Sequence, residues 1–387
     1  MGKLLINNIG TLVSGDLSQP ILECEAILIE DGFIKAIGSE KELYGNDVSR
    51  IISVAGMTVT PGLIDSHCHP VIGDYTPRQN QIGFIASSLL GGITTMISAG
   101  EVHTPGRPRD AAGTKALAIL AAKSYANFRP AGVKVLGGGL ILEPGLREED
   151  FAEMASEGVT HLGEIGLGGV VEPEDAIPMV RWAKKYGMTV MMHAAGVSVP
   201  GSSAVSADQI LAVGPDIVAH LNGAPTSIPL SGIEKIIRNS DRCFEITYMG
   251  NFKMALEIVR IAREERAFDR LLLGIDAPAG EGVAPLGILR IITLIASVGG
   301  VEAPVAIAMA TGNTARLYNL NRGLIKVGYE GDLVVMDAPV GSVGRDALGA
   351  IQVGDIPGIA GVFVDGEVKA WISENTPPPV RSCQEVA

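Results

Sequence analysis

The sequence contains few cysteines, and they lie far apart. Its four cysteines (Cys24, Cys68, Cys243 and Cys383) include no C-x-x-C pair. This argues against a disulfide framework and against a cysteine-based zinc module. The N-terminal segment turns polar at Asn7, too soon for the apolar core of a signal peptide. We therefore expect a cytoplasmic protein with reduced thiols.

Charged residues are also scarce, and positive charge is the scarcer sign. They make up 19% of the chain, with 30 basic against 43 acidic residues and a net charge of −13. No cluster of lysine and arginine offsets this excess, so nucleic acid and anionic membranes are not expected as partners. No apolar run reaches the ~18 residues of a transmembrane helix. An anionic small molecule would need an arginine or lysine placed at its own binding site.

Apolar residues are abundant, and their pattern changes along the chain. They make up 47% of the 387 residues, enough for a large buried core. Residues 1–61 and 322–387 show short strand patterns separated by turns, which predicts one small β-sandwich assembled from both termini. Residues 62–321 alternate apolar strands with helical patterns at intervals of about 30 residues, the length of a βα unit.

Eight strand candidates in this middle segment predict an α/β fold, a (β/α)8 TIM barrel. The candidates centre near Leu63, Thr94, Val135, Leu162, Val190, Val218, Ile246 and Leu272. The alternative is an open doubly wound sheet, which usually carries a G-x-G-x-x-G turn after its first strand. This sequence lacks that turn, which favours the barrel.

Metal-binding side chains follow the predicted strands at the point where each strand ends. A (β/α)8 barrel places its functional groups at these carboxyl ends. Six residues fit this rule: His67, His69, Glu164, His193, His220 and Asp276. Four imidazoles and two carboxylates exceed one closed tetrahedral site and suit two divalent ions that share a carboxylate and a hydroxide. We predict Glu164 as the bridge and Asp276 as both metal ligand and general base, then acid.

The other two histidines are predicted to have other roles. His161 lies three residues before Glu164, so strand alternation predicts that it faces the helices as a packed histidine. His103 lies in the loop after the second strand, where a solvated or structural role is favoured and substrate contact is the alternative.

The segment from Gly62 to His69 (GLIDSHCH), the later histidines and aspartate, and the segment 323–335 (GLIKVGYEGDLVV) together resemble the amidohydrolase superfamily. The resemblance implies a distorted barrel, a composite β-sandwich and metal-assisted hydrolysis. Many members bridge the metals with a carboxylated lysine, for which Lys134 is the nearby candidate. Glu164 lies one βα unit before His193, where the bridge belongs, whereas Lys134 lies two units before it. We therefore favour Glu164.

Within the superfamily, the chain is most similar to members that open 6-oxo-1,4,5,6-tetrahydronicotinate to 2-formylglutarate during nicotinate degradation. The similar segments are 74–79, 94–100, 106–115, 129–135, 200–203 and 285–290. This resemblance implies zinc and/or iron at the paired site and a homotetramer. The chain departs from the pattern at Ala194, Ala195 and Ile275. Another lactam, cyclic imide or hydantoin-like ring is therefore the alternative substrate, ahead of a mononuclear deaminase or a non-catalytic scaffold.

A carboxylated substrate would need a cation at the barrel mouth. Arg78 follows the first strand and is the first candidate, with Lys134 and Arg107 behind it, because arginine binds carboxylates at two points. Tyr75 and Tyr248 are predicted to donate to the oxyanion that forms when the amide is attacked.

Overall fold

The chain begins with seven short strands and one short helix. The computed structural model describes residues 2–45, 47–70, 78–102, 106–197, 204–278 and 282–386, with the backbone alone for 78–82. The first elements are β1 (Leu4–Asn7), β2 (Thr11–Val13), β3 (Ile21–Leu22), β4 (Ala26–Glu30), β5 (Phe33–Gly38), α1 (Glu40–Leu43), β6 (Arg50–Ser53) and β7 (Thr58–Pro61). The turn between β4 and β5 uses the left-handed conformation at Asp31 (φ 51°) and Gly32 (φ 85°).

Eight parallel strands follow in the middle of the chain. They are β8 (Leu63–Cys68), β9 (Ile93–Ser98), β10 (Lys134–Leu136), β11 (His161–Ile165), β12 (Thr189–Met192), β13 (Ile217–Val218), β14 (Cys243–Thr247) and β15 (Leu271–Gly274). Each contains or adjoins one of the predicted centres. Their residues are almost all buried, because one face packs inside the barrel and the other packs against helices.

The eight strands close into a barrel through two weaker seams. Strands β8, β9 and β10 form one sheet and β11 to β15 the other, in chain order. One seam is the bridge between Leu140 and Leu162. At the other, the Asp276 N–H donates to His67 O at 2.8 Å and the His69 N–H donates to Ala277 O at 2.8 Å. The predicted (β/α)8 barrel is confirmed, and its closure brings the ends of β8 and β15 together.

Helices surround the barrel. They are α2 (Arg78–Leu89), α3 (Ala111–Asn127), α4 (Glu148–Ser156), α5 (Pro173–Lys185), α6 (Ala207–Val213), α7 (Leu230–Asn239), α8 (Phe252–Glu264), α9 (Gly287–Ser297), α10 (Ala303–Met309), α11 (Gly312–Leu317) and, later, α12 (Ala347–Val353). Helix α8 begins where Asn251 Oδ1 accepts the Met254 N–H, at 3.1 Å, and buries Ile258 and Ile261. Within the described ranges, no helix is long and apolar enough to cross a bilayer.

The last strands return to the N-terminal ones. They are β16 (Leu333–Asp337), β17 (Gly358–Val364), β18 (Glu367–Ala370) and β19 (Gln384–Glu385). One sheet has the order β18-β17-β16-β7-β2-β3 and the other β19-β6-β1-β4-β5. Strand β16 runs antiparallel to β7, with Leu333 opposite Pro61. Ile6 and Ile27 from one sheet pack with Phe363 from the other in one core, so the predicted composite sandwich is present.

Lys134 joins the barrel to the sandwich. It is the first residue of β10, and its Nζ lies 2.8 Å from Asp332 Oδ1, 2.6 Å from Asp365 Oδ1 and 2.5 Å from Glu330 Oε2. Its side chain is 4% exposed. The prediction that Lys134 contacts substrate is therefore wrong, and the alternative that Lys134 bridges the metals is excluded as well. Its amine is bound by three carboxylates at the amino end of the strand, opposite to the carboxyl ends where the site residues lie.

Replacing Lys134 by methionine is expected to lower the free energy of unfolding by about 3–5 kcal/mol, because three carboxylates would be left without their buried cation. Urea unfolding at pH 7 measures this loss. Lys123→Met is the control, since the Lys123–Glu157 pair is exposed (55% and 42%) and worth at most about 1 kcal/mol. Equal losses of unfolding free energy in the two variants would contradict the role of Lys134 as a buried cation between barrel and sandwich.

A candidate metal site at the carboxyl ends of the barrel strands

The six predicted ligands come together at the carboxyl ends of five strands. His67 lies in β8 and Glu164 in β11, His69 and His193 directly follow β8 and β12, and His220 and Asp276 lie two residues after β13 and β15. None of the six is more than 5% exposed as a residue. The imidazole centroids of His67 and His69 are 5.2 Å apart, those of His67 and His220 5.2 Å, and those of His193 and His220 4.7 Å. Residues distant in sequence thus form one cluster.

Glu164 lies at the centre of this cluster and faces a different histidine pair with each carboxylate oxygen. Oε1 lies 2.5 Å from His220 Nε2 and 3.2 Å from His193 Nδ1. Oε2 lies 3.6 Å from His67 Nε2 and 3.7 Å from His69 Nε2. This is the arrangement required of a carboxylate that bridges two cations.

Asp276 lies on the side of the cluster formed by His67 and His69. Its Oδ1 is 3.2 Å from His69 Nε2 and 3.5 Å from His67 Nε2. Asp276 has a left-handed backbone (φ 65°), which is uncommon for a non-glycine residue. The contacts with His67 and His69 place its carboxylate within the cluster.

The donor atoms fit divalent transition metals. Among the described residues, the potential ligand atoms form overlapping groups within 4.8 Å: His67 with His69 and Glu164, His67 with His220 and Asp276, and Glu164 with His193 and His220. His67 Nε2, which faces Glu164 at 3.6 Å, is buried without a hydrogen-bond partner among the described residues. Imidazole and carboxylate donors suit zinc and iron.

The electrostatics favour ionised carboxylates in the cluster. Burial alone raises the pKa of Glu164, but the neighbouring His67 and His220 outweigh it and hold this pKa well below its ordinary value. Burial likewise opposes ionisation of Asp276, and the charge of His67 and the hydrogen bond of His69 lower its pKa. Both side chains are negative at neutral pH and are available to a cation.

Glu245 is a functional residue that the sequence analysis missed. Its Oε2 lies 2.8 Å from His67 Nδ1 and accepts the His220 N–H at 3.2 Å, and its Oε1 accepts the hydroxyl of Ser66. Holding His67 Nδ1 turns Nε2 toward Glu164. The available signal was a lone charge inside an apolar strand, between Phe244 and Ile246, which both pack against the helices.

Asp65 positions the same strand ends through the backbone. Its Oδ1 accepts the N–H of His67 at 3.1 Å and the N–H of Ile275 at 2.9 Å, so it ties the first barrel strand to the last. Burial raises the pKa of Asp65 to about 7.

His161 is buried, as predicted, but it faces the inside of the barrel. The pairing of β11 with β12 is irregular between His161 and Glu164, which breaks the alternation that the prediction assumed. The ring lies 5.8 Å from Tyr318, a side chain packed with the inward residues Ile97 and Leu272, and Nε2 is 2.7 Å from Ser98 O. Burial lowers the pKa of His161 to about 4, so the ring is neutral.

Tyr75, His103 and the side chain of Arg78 lie outside the described residues. Tyr248 follows β14, and its half-buried ring packs 5.8 Å from Phe252. Its role as an oxyanion donor stays a prediction.

The chain matches known proteins over nearly its whole length. Residues 58–373 match the model of the amidohydrolase family. The chain is 53% identical to the enamidase of Eubacterium barkeri over 384 residues, which cover 99% of this chain and 100% of that protein. It is 22% identical over 381 residues to an imidazolonepropionase from Geobacillus sp., covering 82% of this chain and 85% of that protein.

Solved structures show the same relationship. The crystal structure of enamidase superposes with a TM-score of 0.96 at 52% identity, covering 99% of this chain and 100% of that one. The β-aspartyl dipeptidase from Fervidobacterium islandicum superposes with a TM-score of 0.66 at 15% identity, covering 98% of both chains. The dipeptidase shares the fold alone.

Glu245→Gln is expected to weaken metal binding by about 10–100-fold, because His67 would lose the partner that fixes its ring. The dissociation constant for zinc, measured by competition with a chromogenic chelator, tests this. Glu257→Gln is the matched control, since Glu257 pairs with Arg260 on the exposed face of α8. An unchanged constant in Glu245→Gln would refute the positioning role.

His161 is expected to make stability dependent on pH. Its pKa is about 4 in the folded chain and about 6.5 when unfolded, so the unfolded state binds the proton first as pH falls. The neutral His161 ring therefore contributes its full share to the free energy of unfolding above pH 6.5. This share falls by on the order of 3 kcal/mol as the pH is lowered to 4. The difference in unfolding free energy between the natural protein and His161→Gln should shrink by that amount from pH 7 to pH 4. A constant difference would contradict it.

Proposed function

Because this chain belongs to the amidohydrolase family, we propose that it hydrolyses the C–N bond of a cyclic amide with the help of two metal ions at the Glu164 cluster. One observation carries the two-metal part of the proposal: the two oxygens of Glu164 face different histidine pairs. Two ions account for this placement, because a carboxylate can offer one oxygen to each. The 53% identity to an enamidase over the full chain supports the cyclic amide.

The cluster divides its residues between two positions. His67, His69 and Asp276 would hold one ion, His193 and His220 the other, and Glu164 both. When bound, such ions lower the pKa of water and polarise a carbonyl group. Asp276 supplies what the histidines cannot, because its ionised carboxylate accepts the proton of the attacking water and then donates it to the leaving ring nitrogen.

We propose 6-oxo-1,4,5,6-tetrahydronicotinate as the substrate. Water adds to the C6 carbonyl carbon, the C6–N1 bond breaks, and the nitrogen leaves as an enamine. Hydrolysis of that enamine releases ammonia and gives 2-formylglutarate. Ala194, Ala195 and Ile275, where the sequence departs from the expected pattern, are fully buried beside His193 and Asp276. Another lactam, cyclic imide or hydantoin-like ring is therefore the alternative substrate.

The metals, the oligomeric state and the location of the protein are proposed on separate grounds. We propose zinc and/or iron as the metals, because the donor set combines imidazole nitrogen with carboxylate oxygen. A homotetramer and a cytoplasmic location are proposed from the resemblance and from the four free cysteines, respectively.

Asp276→Asn is expected to lower kcat for ring opening by about 10²–10⁴-fold, because the amide cannot carry the proton. Glu164→Ala should abolish turnover and reduce the bound metal below two ions per chain. Nuclear magnetic resonance of the lactam and aldehyde signals measures ring opening, and elemental analysis measures the metals. Asp241→Asn is the control, since its side chain is 87% exposed.

Other outcomes would overturn the proposal. Full turnover by Glu164→Ala would favour a mononuclear deaminase. Less than about one metal per chain in the natural protein would favour a non-catalytic scaffold. Failure to open any lactam, imide or hydantoin would refute the substrate class.

A further inference from the structure

A buried ion pair joins three loops at the mouth of the barrel. Arg107, in the loop after β9, donates from Nη1 to Glu143 Oε1 at 2.8 Å and to Pro108 O at 3.2 Å. Glu143 follows β10, and its Oε2 accepts the N–H of Gly169, in the loop after β11, at 3.0 Å. The side chains of Arg107 and Glu143 are 5% and 1% exposed.

The pair lies on the side where the barrel opens, beyond Glu164. Leu140 is bridged to Leu162, so the chain at Glu143 has advanced past the level of Glu164 on the neighbouring strand. Leu140 and Leu142 pack in the core between barrel and helices. A Cβ on Gly100 would lie 2.4 Å from Ile141 Cδ1, and Gly100 O is 2.9 Å from His69 Nδ1. The loop that carries Arg107 and the loop that carries Glu143 therefore both border the histidine cluster.

The orientation of Glu143 is fixed by its surroundings. A Cβ on Gly169 would lie 2.4 Å from Glu143 Oε2, so a side chain at this position would displace the carboxylate. One carboxylate oxygen is thus committed to a backbone N–H and the other to the arginine. The guanidinium is held in one orientation before any ligand arrives.

Arg107 keeps part of its binding capacity free for such a ligand. A guanidinium has five N–H donors, and among the described residues both hydrogen bonds of Arg107 come from Nη1. Its Nε and Nη2 form the edge that binds a carboxylate at two points. Other described arginines in these loops, Arg109 and Arg147, are exposed. The chain carries a net charge of −13, so an anionic substrate needs such a local cation.

We propose that Arg107, held by Glu143, binds the carboxylate of the ring substrate and selects carboxylated lactams over neutral ones. This rests on the function proposed above. In 6-oxo-1,4,5,6-tetrahydronicotinate the carboxylate on C3 lies across the ring from the C6 amide. Binding one end of a rigid ring at the mouth therefore directs the other end toward the Glu164 cluster.

The test compares 6-oxo-1,4,5,6-tetrahydronicotinate with its neutral carboxamide. The natural protein should prefer the acid in kcat/KM by at least about 30-fold. Arg107→Gln should lower kcat/KM for the acid by about 100-fold, chiefly through KM, because a charged hydrogen-bonding partner is lost. It should change kcat/KM for the carboxamide by less than about threefold. Arg109→Gln, two residues away and exposed, should leave both values unchanged.

A binding measurement separates recognition from chemistry. The aromatic acid 6-oxo-1,6-dihydronicotinate should bind Arg107→Gln about 100-fold more weakly than the natural protein in calorimetry. Arg107→Lys keeps the charge without the planar fork and should show an intermediate loss; it also serves if the glutamine variant does not fold.

Two results would overturn the assignment: equal losses for acid and carboxamide, or a natural protein that opens both equally well. The second result would leave the proposed hydrolysis intact. A natural protein that opens neither ring would instead refute the proposed function, and the assignment of Arg107 would fall with it.

Discussion

The position of Glu164 is the constraint on which the rest of the site depends. A buried carboxylate is costly unless cationic or hydrogen-bonding groups surround it. Here each oxygen faces its own pair of imidazoles, which come from strands β8, β12 and β13. Those strands must therefore end at the same level, and the closed barrel is the architecture that meets this demand. Asp276 enters the cluster through the seam that joins β15 to β8.

A surrounding layer of polar residues keeps the ligands oriented. Glu245 fixes the ring of His67, and Asp65 ties the backbone of β8 to that of Ile275. Asn222, two residues after His220, is tied to the end of β14, because its side chain makes two hydrogen bonds of 2.9 Å with the backbone of Thr247. None of these groups needs to touch a metal, yet Glu245 and Asp65 each restrict His67, which would.

The sequence predicts the fold and the inner cluster well, and it fails where register or direction matters. Strands buried on both faces are readable as apolar runs, and the rule that function lies at their carboxyl ends finds the six clustered residues. The prediction for Lys134 is wrong because the sequence pattern places it on a strand but does not show at which end of that strand it lies. Lys134 is the first residue of β10, at the end away from the site. His161 was misoriented because the irregular pairing before Glu164 has no visible signature in the residues themselves. Glu245 was overlooked because it precedes the end of its strand.

The pairing of β16 with β7 has a consequence for how the protein is made. One edge of β7 remains open until β16 leaves the ribosome, after the whole barrel has been translated. At about 5–20 residues per second, that interval lasts tens of seconds. During biosynthesis the nascent chain therefore carries an unpaired strand edge, whose free N–H and C=O groups can pair with another chain and which chaperones protect from aggregation.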